Sequence, residues 1–254
     1  MRVVSLVPSL TETLFALGLD STSVVGRTPW CVHPAPEVDD VPVVGGTKTP
    51  TLSKITAATP DLVVMDRDEN PKSVHDWCLE QGYRVFVCDV RHPSEVPDML
   101  RKLGEAIARI EDGERLAGDL ESTLAQVSRV ATGTVMPFIW HEPLMIASAR
   151  TYAGGMLATL GWTVPDIDPE GTGYPAVTET DLLEHGVEGL LMSSEPHAFS
   201  RQEGEAIADC VERAGGVRPW VKCIDGEALT WMGSRTRQGL MQLAELTAPL
   251  PDEG

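Results

Sequence analysis

The chain has 254 residues, 42% of them hydrophobic, enough to bury one large core or two smaller ones and too apolar for a disordered polypeptide. With 38 acidic against 20 basic residues the net charge is −18, and Lys and Arg are scattered singly, which argues against nucleic acid or an anionic membrane surface as partner. No apolar run approaches the ~20 residues of a membrane span. The cysteines (Cys31, Cys78, Cys88, Cys210 and Cys223) show no CxxC or other zinc spacing and read as free thiols in a reducing compartment. Met1 runs straight into a strand without a basic, apolar leader, so a cytoplasmic location is expected, or an extracytoplasmic one if Met1 is not the native start.

In chain order, RVVSLVPSLTETLFALGL reads as a strand, a Pro8-Ser9 turn and a helix, with Ser9 as N-cap and Glu12 completing a capping box. A second strand, SVVG, leads into a proline-rich loop carrying Trp30 and His33. VPVV is a short strand, followed by a Gly45-Gly46 turn exposing Thr47 and Lys48, a helix and a third strand, Leu62 to Met65. Gly-Gly-Thr-Lys is not a phosphate-cradling loop, because the leading glycine and its spacing are missing. The polar DRDEN loop, an amphipathic helix and a fourth strand, Arg84 to Cys88, follow. Strands alternating with helices predict a parallel sheet wrapped by helices.

From Pro93 to about Arg129 the pattern is helical, with Leu116, Leu120, Leu124 and Val127 forming one apolar stripe between charged residues. Asp112 is a candidate cap for the start of the second half, which carries this stripe, and Gly133 lies just past its end. An ordinary surface helix of one domain would read the same way. The flanks decide, because the same phrases recur beyond it. TVMPFIW is a strand, TYAGGMLATLG echoes TETLFALG, and VTETDLLEHGVEGLLMSSEP matches TPTLSKITAATPDLVVMDRDEN in layout. VRPWVKCI is a final strand, and Arg237 to Leu246 a closing helix. A duplication of this kind predicts two similar lobes, residues 1–92 and 132–254, joined by a stiff helical segment over 93–131.

VVSLVPSLTETLFALG, VGRTPWCVHP, VGGTKTPTLSKITAATPDLVV and YPAVTETDLLEHGVEGLL together resemble the class III, helical-backbone periplasmic-binding-protein family, in its vitamin B12 and iron-chelate receptor branch. The resemblance covers nearly the whole chain. It implies an α/β protein of two Rossmann-like lobes joined by a long rigid backbone helix, a ligand in the cleft between them, and no catalysis. Carried over by position, the ligand-binding residues are Ser9, Trp30, Thr47, Lys48, Arg67 and Asn70 from the first lobe. Trp140, Tyr174, Glu195, Phe199 and Trp231 come from the second. The implied ligand is a cobalamin or related corrinoid, with Trp30 and Tyr174 stacking on it and Lys48, Arg67 and Glu195 bonding its polar rim. Thr47 and Asp66 stand where the B12 receptor pattern has tryptophans, so weaker affinity is expected. Ser53 and Thr180 stand where secreted receptors carry permease-docking glutamates, with Glu179 adjacent; permease docking is therefore not expected, and the protein is expected to be a monomer.

Among the histidines (His33, His75, His92, His141, His185 and His197) no HxxxH or HExxH spacing occurs, so the sequence alone supports no metal site. His33, His141 and His197 fall in loops expected to face the cleft, where either ligation or an ordinary hydrogen-bonded role is open. No GxSxG elbow appears, and Ser9 has no evident His or Asp partner. Three function classes remain: a carrier or sensor of a corrinoid, a transporter component for haem, siderophore or another metal chelate, and an enzyme acting on a polar small molecule.

Overall fold

In the computed structural model, residues 1–127 and 131–247 are described. They divide into two units: Met1–Val90 with Glu95–Ser122 and Met232–Arg235, and Arg91–Ser94 with Thr123–Trp231 and the chain from Thr236 onward.

In the first unit, short apolar runs become strands of a helix-covered parallel sheet, the two central ones buried along their whole length and the two outer ones partly exposed. These are β1 (Val3–Ser5), β2 (Val24–Gly26), β3 (Leu62–Asp66) and β4 (Arg84–Cys88), in the order β2-β1-β3-β4 with every pairing parallel. Leu62 registers with Val3 on one side and with Arg84 on the other. Helices α1 (Pro8–Ala16), α2 (Leu52–Ala58) and α3 (Lys72–Glu80) link the strands. Val4, Leu6, Ile55, Val63, Met65, Val74 and Cys78 make a core between sheet and helices. The expected Gly45-Gly46 turn is present. Gly45 has φ +117°, and a Cβ there would meet the Thr51 backbone nitrogen at 2.6 Å, so the turn needs glycine on both counts.

The second unit repeats the plan. Strands β5 (Val135–Trp140), β7 (Gly189–Ser193) and β8 (Trp220–Ile224) pair in parallel, and the order is β6-β5-β7-β8. The edge strand β6 (Met145–Ile146) departs from the repeat, being two residues long and antiparallel to β5. Its neighbours in sequence gave it no alternation to read. Helices α6 (Tyr152–Leu160), α7 (Glu179–Glu184), α8 (Arg201–Arg213), α9 (Gly226–Thr230) and α10 (Thr236–Thr247) complete the unit. Phe138, Ile146, Leu182, Leu190, Met192, Phe199 and Val211 lie in its core.

Three expectations change. VPVV forms no strand: its sheet-like pairing is the single Arg27–Val43 bridge, and Pro42 has no N–H to extend it. Ser9 does not cap α1: Pro8 holds the first helical position, Val7 precedes it, and no side chain caps the end. Proline presets the helical φ and has no N–H to satisfy, so a cap one residue later has no role. The connector is not one helix. It is α4 (Val96–Ala106) and α5 (Ile110–Gln126), separated at Ala108, whose φ is +58°. Both pack within the first unit up to Ser122, and Thr123–Gln126 belong with the second. Asp112 therefore sits inside the first turn of α5 and accepts from Arg115 at 3.1 Å. The expected end near Arg129 and the last residues of the second lobe, 248–254, lie outside the described residues.

Candidate functional site

Most of the proposed ligand residues follow the carboxyl ends of strands, the edge at which open α/β sheets bind small molecules. In the first unit three loops there are tied together by Asn70. Its Oδ1 accepts from the Asp66 backbone N–H at 2.8 Å, and its Nδ2 donates to the carbonyls of Leu6 and Thr47 at 3.1 and 3.0 Å. Asn70 is buried and its amide is occupied, which makes it a scaffold for the Thr47 turn. Asp66 Oδ1 accepts from the backbone N–H groups of Asp68 and Glu69 at 2.8 and 3.1 Å. Burial nevertheless pushes the Asp66 carboxyl up to about 6, because desolvation outweighs those bonds. Lys48, exposed, donates through Nζ to the Asp68 carbonyl, and Arg67 pairs with Asp89 at 2.6 Å in the open.

Trp30 differs from these. Its indole is 64% exposed, yet its loop is pinned on both sides. Arg27 donates to the carbonyls of Val41, Thr28 and Cys31 at 3.1, 3.3 and 3.1 Å. The buried Cys31 thiol packs on the hydroxyls of Thr11 and Thr28, and burial pushes its pKa up. A large aromatic face held in water on a fixed loop is the arrangement of a contact residue. Ser9 is buried and donates to Met232 Sδ at 3.2 Å, while the mostly buried Glu12 and Arg235 form a bidentate pair at 2.8 Å. The role of Glu12 is thus pairing across 223 positions of sequence, not capping.

In the second unit Trp140 is 44% exposed at the end of β5, with Nε1 donating to the Glu142 carbonyl at 3.0 Å. Tyr174 is half-buried. Glu195, after β7, accepts from Trp231 Nε1 at 2.6 Å and from Thr230 Oγ1 at 3.3 Å. Burial raises its pKa, opposed by the Trp231 bond. Trp231 and Phe199 are each only 7% exposed. Phe199 packs edge-on against Phe138 in the core, and Trp231 holds the Glu195 carboxylate, so both act first as framework.

His141 and His197, singled out in the sequence, come together with Glu203, which was not. Ser200 caps α8, and its backbone N–H and hydroxyl both donate to Glu203 Oε2, at 2.7 and 2.6 Å. These bonds, with His197, bring the Glu203 carboxyl down to about 2. The S-x-x-E capping signal was legible at Ser200–Glu203, but it announces a helix start and says nothing of histidines from other segments.

Comparison with known proteins decides the family. A family model described as periplasmic binding protein matches residues 3–175. The chain belongs to that family. The vitamin B12-binding protein of Pectobacterium carotovorum is 22% identical over 201 residues, covering 77% of this chain and 72% of its own. Among solved structures, the periplasmic vitamin B12-binding protein of Vibrio cholerae has a TM-score of 0.79 at 18% identity, over 98% of each chain. A periplasmic haem-binding protein of Pseudomonas aeruginosa has a TM-score of 0.80 at 19% identity, over 98% of this chain and 92% of that one. At such identities the structural likeness establishes the family fold, two α/β units each built on a predominantly parallel sheet.

Proposed function

We propose that the protein is a non-catalytic binding protein whose ligand is a corrinoid of the cobalamin type. The observation that carries the reading is Trp30, an exposed indole on a loop fixed by Arg27 and Cys31. The similarity to proteins named for vitamin B12 binding supports the choice of ligand. One aromatic ring buries 150–250 Å² on contact, roughly 4–6 kcal/mol at about 25 cal/mol per Å². Ordering and desolvation offset a large share of that. Trp140 and Tyr174 are the second unit's candidates for the same kind of contact. Lys48, Arg67 and Glu195 are the candidates for amides and phosphate.

Calorimetric titration with cobalamin and cobinamide tests this. Wild type is expected to bind, and Trp30→Ala to lose about 2 kcal/mol, roughly 30-fold in affinity, as buried aromatic anchors commonly do. No heat with either corrinoid would reject the ligand, and equal binding by Trp30→Ala would reject the stacking role. A parallel titration with haemin checks the second reading; tight binding of haem alone would replace the corrinoid.

Ser53 on α2 and Thr180 on α7 are both exposed and uncharged. We accordingly propose that the loaded protein does not dock on a B12-type permease. Stable association with such a permease in detergent at near-physiological salt would overturn this.

A further inference from the structure

We propose that His141, His197 and Glu203 form a binding site for one divalent transition-metal ion, of the zinc type, in the second unit. Three separate segments deliver the ligands. His141 follows the last residue of β5, His197 lies in the loop after β7, and Glu203 is in the first turn of α8. His197 Nε2 is 3.1 Å and His141 Nδ1 3.5 Å from the same carboxylate oxygen, Glu203 Oε1. The candidate ligand atoms all lie within 4.8 Å of one another. A tetrahedral zinc ion with nitrogen and oxygen ligands at about 2.0–2.2 Å holds those atoms roughly 3.3 Å apart. The side chains therefore need only small rotations to receive an ion.

The orientation of each ligand is set from behind, as in built metal sites. Ser200 occupies the far oxygen of Glu203 and leaves Oε1 toward the histidines. The His197 ring rests on the edge of Phe199, centroids 4.5 Å apart, and Phe199 is itself anchored in the core. His141 stacks on His197 at 5.3 Å with planes 24° apart, and its own exposed position gives an ion access. Two imidazoles and one carboxylate select zinc, cobalt, nickel or copper over calcium and magnesium, which take all-oxygen shells. Three protein ligands leave a fourth position for water or for a donor atom of another molecule. The net charge of −18 further favours a cation over the surface as a whole.

The test uses zinc itself on the ligand-free protein, so its outcome is separate from that of the corrinoid titration. Competition against a chromogenic chelator is expected to report one tight zinc per chain, undisturbed by millimolar calcium or magnesium. His141→Ala and Glu203→Gln are each expected to weaken binding by on the order of 10–100-fold or more, since even outer-shell losses reach that range. His141→Ala alters an exposed side chain, and Glu203→Gln keeps an acceptor for the Ser200 N–H, so both should fold; their circular dichroism melts check this. Cobalt substitution should give visible d–d bands without a thiolate charge-transfer band. No stoichiometric zinc, unchanged affinity in a His141→Ala/His197→Ala variant, or a thiolate signature assigning the ion to cysteine would each overturn the site.

Discussion

Asp66 closes β3 in a position that costs the folded protein energy. Its carboxyl is buried and shifted up to about 6, against about 3.9 when unfolded. The folded state thus holds the proton at pH values where the unfolded chain has released it. Stability from this group is fully present below about pH 4, falls as pH rises through the window to about 6, and is constant above it. Asp66→Asn retains an oxygen for the Asp68 and Glu69 N–H groups without the buried charge. It is expected to be more stable than wild type by about 1–2 kcal/mol at pH 7, some of the gain being offset by weaker hydrogen bonds. Urea unfolding at several pH values checks this, and the difference should vanish near pH 4. An advantage independent of pH would mean that packing, not ionisation, is responsible. At this same scale the aromatics separate: Trp30 and Phe199 both sit in loops after strands, but one is solvated and the other lies in the core. That distinction rests on which neighbours close over a ring, and local sequence does not carry it.

For elements, the pair α4 and α5 is the instructive case. The apolar stripe of α5 is readable in the sequence, but the close approach of the two helices depends on Gly104 and Gly113. A Cβ on Gly104 would lie 3.0 Å from Gly113 Cα, and one on Gly113 would lie 2.9 Å from the Leu100 carbonyl oxygen. Arg101 bridges the same helices, reaching Glu114 and Glu121 at 2.8 Å, an exposed network of modest worth. Gly113→Ala must push backbone apart and is expected to cost about 1–3 kcal/mol. Gly118→Ala, in the same helix with nothing within 4 Å of its new methyl, is expected to stabilise by about 0.5–1 kcal/mol. Denaturant midpoints of the two variants test the pair together. A stabilising Gly113→Ala would contradict the helix contact described here.

Over the whole molecule, two features dominate: the repeated sheet order and the acidic surface. Strand orders β2-β1-β3-β4 and β6-β5-β7-β8 are the same path traced twice, differing at the edge strand. The net charge of −18 imposes self-repulsion that salt screens. Raising ionic strength from about 0.01 to about 0.15 M shortens the screening length from roughly 30 to 8 Å, and Tm is expected to rise. A fall in Tm would show that ion pairs such as Arg235–Glu12 and the Arg101 network outweigh the repulsion. Saturating ligand should add further: at a hundred times Kd the gain is about 2.7 kcal/mol, readable as a cobalamin-dependent shift in Tm.

The α/β class, the strands from Leu62 and Arg84, the closing helix and the two-fold repetition are legible in the residues alone. Each rests on local periodicity and on turn chemistry within a few residues. The residues also carry the family through motifs that keep their order along the chain. The folded chain adds that Pro8 displaces Ser9 as the start of α1, that the long helical run breaks at Ala108, and that Glu12 pairs with Arg235. It alone turned Asn70 and Trp231 into framework and left Trp30 in solvent. The grouping of His141, His197 and Glu203 belongs there too. Parallel β-strands must be joined by long crossovers, so groups meeting at their carboxyl ends are dozens of residues apart in sequence, and no spacing rule can bring them together.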